Sequence, residues 1–309
     1  MGKPPMAKQV TVSEILDLVV HNYKIKEYAS MKDLSRNLSR LQEKLGGFSA
    51  EKLSSQQITR YIIDRKEAGA GNASIRQELA ALRRAYTLAL RDNLVKRKPY
   101  IELPPPPEKR KGMFSYPEYV QFRDTLRSIP PSQNYDGNVV ADILVFGFCS
   151  GWRKSEVLNI IWDWVSFQDR LVSIPGRYTK NKRDKVFPLE GECLEMMKTR
   201  FAIASGSYVF HRNGKRVVSF YKIWNKSLQQ AGLPKKLFHD LRRTAVTNLN
   251  RARVPPQVGM QISGHLTDSV YKDYNQIMLD DMREAVVRVS DYLSASQVSS
   301  GSAMSLKKK

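Results

Sequence analysis

Cysteine is almost missing from this chain of 309 residues: Cys149 and Cys193 stand alone, far apart and outside any metal-type spacing. A disulfide scaffold is thereby excluded, and a reducing compartment suits the sequence. No apolar run approaches the roughly 18 residues that a membrane span needs. The opening Met1 to Pro5 has no apolar signal-peptide core, so the expectation is a cytoplasmic protein with no membrane partner. Glycine-rich phosphate loops are absent, as are clustered carboxylates suited to magnesium, and no cofactor or metal is expected. No repeat of roughly 20–50 residues is visible. Acidic residues are also short: 30 Asp and Glu face 51 Lys and Arg.

What is there begins with that imbalance. A net charge of +21 favours a polyanionic partner, and nucleic acid is the default. The excess is not confined to a tail. Residues 1–112 carry 22 basic and 12 acidic groups, and residues 113–309 carry 29 and 18. Both halves are expected to meet phosphates, as in a clamp around double-stranded DNA. With 41% hydrophobic residues the chain also has enough apolar surface to bury real cores.

The pattern predicts a mainly α protein with a small β-hairpin or sheet. After a flexible arm (1–10), a helical domain is expected over 11–100. Thr11 to Glu14 fits a capping box, in which the hydroxyl takes an orphan amide and the carboxylate reaches back. Leu34, Leu38, Leu41 and Leu45 make one apolar stripe, stopped by Gly46 and Gly47. A third helix is predicted over 55–66, and a fourth opening with a capping box at Ser74. Four prolines, Pro104 to Pro107, favour extended backbone, and residues 101–112 read as a semi-rigid linker. A second domain is expected over 113–293. It opens at Ser115 to Glu118 and includes two short strands over 170–175 and 185–189 that flank a charged hairpin tip. Its later helices are predicted over 192–201, 220–231, 239–250, 256–262, 269–274 and 280–293. The Ser-rich tail 294–309 reads as disordered.

Only four histidines occur, and two fall in one C-terminal stretch. Residues three apart on a helix differ by about 60° around its axis, so His239 and Arg242 share a side. Two donors on one face, one of them a fixed planar cation, suit a phosphate. Gly264-His265 follows, and Tyr274 lies nine residues beyond His265. Far upstream, Gly151-Trp152-Arg153 follows an apolar helix directly, and a small turn there can present Arg153 to a cleft. Each piece alone is weak.

Their order is not. Arg153, a lysine-bearing hairpin, His239-x-x-Arg242 within Phe238 to Ala245, Gly264-His265 and then Tyr274 together resemble the tyrosine recombinases, the integrase family of phages and mobile elements. The resemblance spans nearly the whole chain. It implies a helical core-binding domain followed by a mixed α/β catalytic domain. It also implies cleavage and rejoining of DNA through a 3′-phosphotyrosyl intermediate, with strands exchanged between two duplexes by way of a Holliday junction. Carried over residue by residue, the catalytic arginines fall on Arg153 and Arg242, the lysine general acid on Lys180 and the histidine on His239. The second His-or-Trp position falls on His265 and the nucleophile on Tyr274, while Glu156 takes the acidic position that buttresses the site. The implied partners are a recombination site in duplex DNA, a homotetramer assembled through C-terminal helix exchange, and accessory DNA-bending proteins. A nucleoid-associated, bacterial or phage-encoded enzyme of the mobile-element integrase type is expected. A start by residue 11 leaves no room for the extra N-terminal domain of longer phage integrases.

The chemistry fits those residue types. Moving a phosphodiester onto protein needs a nucleophile, stabilisation of a charged pentavalent phosphorane, and a proton for the departing oxygen. Arginines clamp non-bridging oxygens, a lysine protonates the leaving group, and His239 handles the tyrosine proton or contacts the phosphate. The phosphotyrosine bond conserves the energy of the broken ester, so rejoining needs neither ATP nor metal. Tyr271 competes with Tyr274, and Lys182 and Lys185 compete with Lys180. Arg243 and Lys154 are expected to point away from the site, and Trp162 and Trp164 to pack. A type IB topoisomerase-like relaxation activity and a non-catalytic DNA-binding protein are the alternative functions.

Overall fold

The computed structural model of the chain describes residues 9–28, 30–108, 110–132, 136–274 and 282–291. The first eight residues of the expected arm, and the tail 294–309, lie outside them. The chain divides into two compact units, one ending at Arg110 and the next beginning at Lys111.

The first unit is a four-helix cluster: α1 (Val12–Ile25), α2 (Met31–Leu45), α3 (Ser55–Glu67) and α4 (Asn72–Arg91). The capping box at Thr11 is formed in full, with Glu14 accepting the Thr11 amide at 2.7 Å. Helix α1 packs on α2 and α4. The α2 stripe of Leu34, Leu38, Leu41 and Leu45 is buried to the last residue, joining Ile15, Leu16, Leu79, Leu82 and Tyr86 in one core. Helix α4 differs from expectation. It begins at Asn72 after Gly71, with no side-chain cap, so Ser74 lies inside the helix. The start of the expected linker also belongs to this unit. Ile101 is buried in its core, Arg83 donates to the Ile101 carbonyl, and Arg76 donates to the Pro104 carbonyl at 2.6 Å.

The second unit runs α5 (Tyr116–Arg127), α6 (Gly137–Ser150), α7 (Lys154–Leu158), β1 (Val165–Ser166), β2 (Leu171–Ile174), β3 (Lys185–Pro188), α8 (Gly191–Ala202), β4 (His211–Arg212), β5 (Lys215–Arg216), α9 (Tyr221–Gln230), α10 (Phe238–Arg251), α11 (Pro256–Ser263) and α12 (Asp268–Tyr274). The strands β1, β2 and β3 form one antiparallel sheet, with Ile174 opposite Lys185 and Leu171 opposite Pro188. The expected pair of strands is thus joined by a third, and a small β4–β5 hairpin stands apart. Helix α6 is apolar nearly all round and therefore central, packed by α5, α8 and α10. Its core includes Phe122, Phe146, Trp152, Phe187, Phe210, Trp224 and Leu241. Residues 282–291 are helical and exposed, including Met282, Val286 and Val289 of the expected C-terminal stripe; Leu293 lies outside the described residues.

Candidate active site

Two glycines set the backbone of the site. Gly151 ends α6 in the left-handed region (φ 62°), a conformation that costs glycine little. A Cβ there would also stand 2.8 Å from that of Ala245. The turn delivers Trp152, buried in the core, and then Arg153 at the start of α7. The Arg153 amide donates to Glu156 at 2.9 Å, and its guanidinium meets the same carboxylate at 3.0 Å. Gly264 ends α11 in the same way (φ 71°) and turns the chain into His265. A Cβ at Gly264 would collide with the Lys185 side chain.

Helix α10 supplies the next two groups. Its first turn is tied down by Asp240, which accepts the Leu237 amide at 2.7 Å. Leu241, Ala245 and Val246 bury its inner face. His239 and Arg242 then converge on one residue of α12. The His239 Nε2 lies 2.8 Å from the Tyr274 hydroxyl, and the Arg242 guanidinium carbon lies 5.6 Å from the Tyr274 ring centre. Arg242 is almost wholly buried. It donates through Nε to His265 Nε2 at 3.1 Å, through Nη1 to the carbonyls of Gly151 (2.9 Å) and Ser263, and through Nη2 to Gly264 at 3.3 Å. The His265 ring sits 4.8 Å from that of Tyr274. Arg153, Glu156, His239, Arg242, His265 and Tyr274 are thus drawn into one cluster. The phage integrase family profile matches residues 132–279, which carry all six.

Residues 132–279 are a phage integrase family domain, of the tyrosine recombinases that cleave and rejoin DNA. The recombinase is 23% identical over 249 residues to the tyrosine recombinase XerC of Pseudomonas aeruginosa, a match covering 77% of this chain and 74% of that one. Its fold is similar to that of the Tn1549 transposon integrase solved with circular-intermediate DNA, with a TM-score of 0.73 at 16% identity, covering 90% of this chain and 99% of that one. It is also similar to the lambda integrase tetramer bound to a Holliday junction, with a TM-score of 0.71 at 15% identity, covering 87% and 78%.

The two tyrosines of α12 are separated by their surroundings. Tyr271 is buried, packs edge-on to His265, and has Gly259 directly against its hydroxyl. Burial raises its pKa. Tyr274 is half-buried, with its hydroxyl on His239. The recombinase also places Arg243 differently from expectation. Its guanidinium donates to the Gly112 carbonyl at 3.0 Å, and its carbon lies 5.6 Å from the Tyr274 ring. A long side chain one step round the helix still reaches the site. Lys154 does turn away, over Phe220.

The lysines divide as well. Lys180 is exposed, while its neighbours Thr179 and Asn181 line a cavity of about 350 Å³ that Glu156 and His265 also border. Lys185 is the lysine inside the cluster. Strand alternation sends Lys185 and Phe187 inward, and the Lys185 ammonium lies 2.7 Å from Glu156 and 4.6 Å from the centre of the Trp152 ring. That position was readable from Phe187, because an inward Phe187 requires an inward Lys185. No comparable sequence signal marks Trp152, whose indole donates to the Ile262 carbonyl at 2.8 Å, or Ser263, whose hydroxyl lies 2.8 Å from His265 Nδ1.

Burial and positive neighbours set the proton affinities in the recombinase. Burial, then Arg242, Arg153, Lys185 and His239, push His265 down to about 3, so it is neutral. Burial, then Arg242, Arg243 and Arg153 against the pull of Asp240, also hold His239 below 6.5. Lys185 falls to about 8 through burial, against the support of Glu156. Arg242 falls to about 10, again chiefly through burial, and remains charged at neutral pH. Burial works to raise Glu156, but Lys185 and Arg153 outweigh it and keep the carboxylate ionised.

Proposed function

We propose that this recombinase cleaves DNA with Tyr274, forming a 3′-phosphotyrosyl bond that a 5′-hydroxyl later reverses. The observation that carries this is the 2.8 Å contact between the Tyr274 hydroxyl and the Nε2 of a histidine whose proton affinity is lowered by burial and by its cationic neighbours. A neutral imidazole accepts the phenolic proton as the oxygen attacks. Arg153 and Arg242, whose guanidinium also meets the Tyr274 hydroxyl, then face the non-bridging oxygens, where charge builds in the phosphorane. Glu156 holds Arg153 in place through its carboxylate. Lys180, on the exposed turn beside the cavity, swings onto the leaving 5′ oxygen and protonates it. His265 borders the same cluster.

The first unit, with its own basic excess, acts as the core-binding domain and closes the clamp on the duplex. Strand exchange proceeds in a homotetramer through a Holliday junction, with the exposed apolar face of residues 282–291 docking on a neighbouring copy. Accessory DNA-bending proteins and a mobile-element role complete this reading.

The test uses duplexes recovered with the protein from a genomic fragment library, nicked near the cleavage point so that the covalent complex accumulates. Wild type gives a protein–DNA adduct that survives denaturation, and Tyr274→Phe gives none while binding the same duplex. An adduct that persists in Tyr274→Phe and vanishes in Tyr271→Phe contradicts the proposal. Relaxation of plasmids without any preferred site favours topoisomerase-like function instead.

A further inference from the structure

We propose that Ser263 is a positioning residue of the recombinase: its hydroxyl accepts the Nδ1 proton of His265 and so orients the ring that holds the Arg242 guanidinium. This rests on the reading of Arg242 as a phosphate-binding group. Arginine has donors only, so the 3.1 Å contact between Arg242 Nε and His265 Nε2 requires a lone pair on that nitrogen. The single imidazole proton is therefore on Nδ1, 2.8 Å from Ser263 Oγ. Ser263, fully buried, sends its own proton to the Gly259 carbonyl at 2.7 Å. Three bonds thus run in one direction, from Arg242 through His265 and Ser263 to the backbone of α11.

With its lone pair on Arg242 and its proton on Ser263, His265 has both ring nitrogens engaged in the DNA-free protein. A protonated ring would turn Nε2 into a donor aimed at another donor. The positive groups facing it oppose that as well: Arg242 and His239 from α10, Arg153 from the start of α7, and Lys185 from β3. Glu156 is engaged with Arg153 and Lys185. The rings of Tyr271 and Tyr274 cover His265 from α12. Four of the five Arg242 N–H groups are committed to His265 and to the carbonyls of Gly151, Ser263 and Gly264, and the guanidinium also hydrogen-bonds Tyr274, so the relay helps to set the guanidinium against the tyrosine.

The experiment is ¹⁵N NMR of the full DNA-free chain labelled only at histidine, a spectrum of four rings, with His265 assigned by its loss in His265→Gln. The expected result between pH 6 and 8 is a protonated Nδ1 and an unprotonated Nε2. Ser263→Ala should leave the His265 Nδ1–H without its acceptor, moving the Nδ1 resonance and speeding exchange of that proton by about tenfold, the worth of one hydrogen bond. Ser263→Thr, which keeps the hydroxyl, should restore both. A wild-type His265 found as the Nε2–H form or as imidazolium overturns the proposal, whether or not the variants fold. So does a folded Ser263→Ala whose His265 Nδ1 resonance and exchange are unchanged. Failure of the strand-cleavage reading would show separately, as a wild type that traps no DNA.

Discussion

Replacing Glu156 by Gln isolates the charge at the centre of the site, and the structure limits how much it can cost. The carboxylate lies between Arg153 and the buried ammonium of Lys185. Stranding a buried charge ordinarily costs about 3–5 kcal/mol. Lys185 has a cheaper escape, because burial has already brought it down to about 8 even with Glu156 beside it. It can shed its proton, which at pH 7 costs about 1.4 kcal/mol, the energy of one pH unit. At pH 6 the same escape costs about 2.7 kcal/mol, and above pH 8 nothing, because Lys185 is then neutral in the wild-type fold as well. The hydrogen bonds lost from Arg153 add about 1 kcal/mol at every pH.

The destabilisation by Glu156→Gln should therefore grow as pH falls from 8 to 6 and flatten above 8. The direction follows from linkage: below pH 8 the wild-type fold holds the Lys185 proton and the variant fold does not. Denaturant titrations at pH 6, 7, 8 and 9 measure it, followed by tryptophan fluorescence. All four tryptophans, Trp152, Trp162, Trp164 and Trp224, lie in the second unit, so the signal reports the unit that carries the site. A deficit independent of pH, or one that grows towards pH 9, would refute the assignment of Lys185 as the buried partner.

Three further outcomes follow from the geometry. Arg242→Lys keeps a charge but loses the planar fork that reaches His265, Gly151 and Gly264 at once, so cleavage should fall by about 10²–10³-fold in single-turnover assays, with a much smaller change in DNA affinity. Because His239 is held below 6.5 and must be neutral to accept the Tyr274 proton, the cleavage rate should be level from pH 7 to 8. Its acid-side decline should have a midpoint below pH 6.5; a midpoint above 7 would mean that His239 acts as a cation. Lys180→Ala should slow cleavage in single-turnover assays far more than it weakens binding, and overall affinity should drop steeply with salt as phosphate contacts release counterions.

The sequence made the helical frame easy to read where periodicity was strong. The α2 leucine stripe and the Thr11 capping box occur where the pattern put them, and the first helix of the second unit opens at Ser115 as expected. The start of α4 was misread because Ser74 offers a capping box to a helix that already begins after Gly71 without one. The short β1 and the β4–β5 hairpin have two residues per strand, too few for any alternation to register. In the site, the helical spacing of His239 and Arg242 was visible in the chain, and so was the fixed distance from His265 to Tyr274. Lys185, a competitor of Lys180 in the sequence, is harder to single out for a reason of scale: the hairpin tip attracts attention through its charge, whereas the inward lysine is marked only by its phase with Phe187. Ser263 was invisible because its role depends on a ring two residues away and an arginine on another helix.

The most direct test of the central claim is to locate the covalent bond. Trapped adducts, digested with nuclease and protease and sequenced by mass spectrometry, should carry the nucleotide remnant on Tyr274, attached through a 3′-phosphate. A remnant on Tyr271 or any other side chain, or attachment through a 5′-phosphate, would contradict the account.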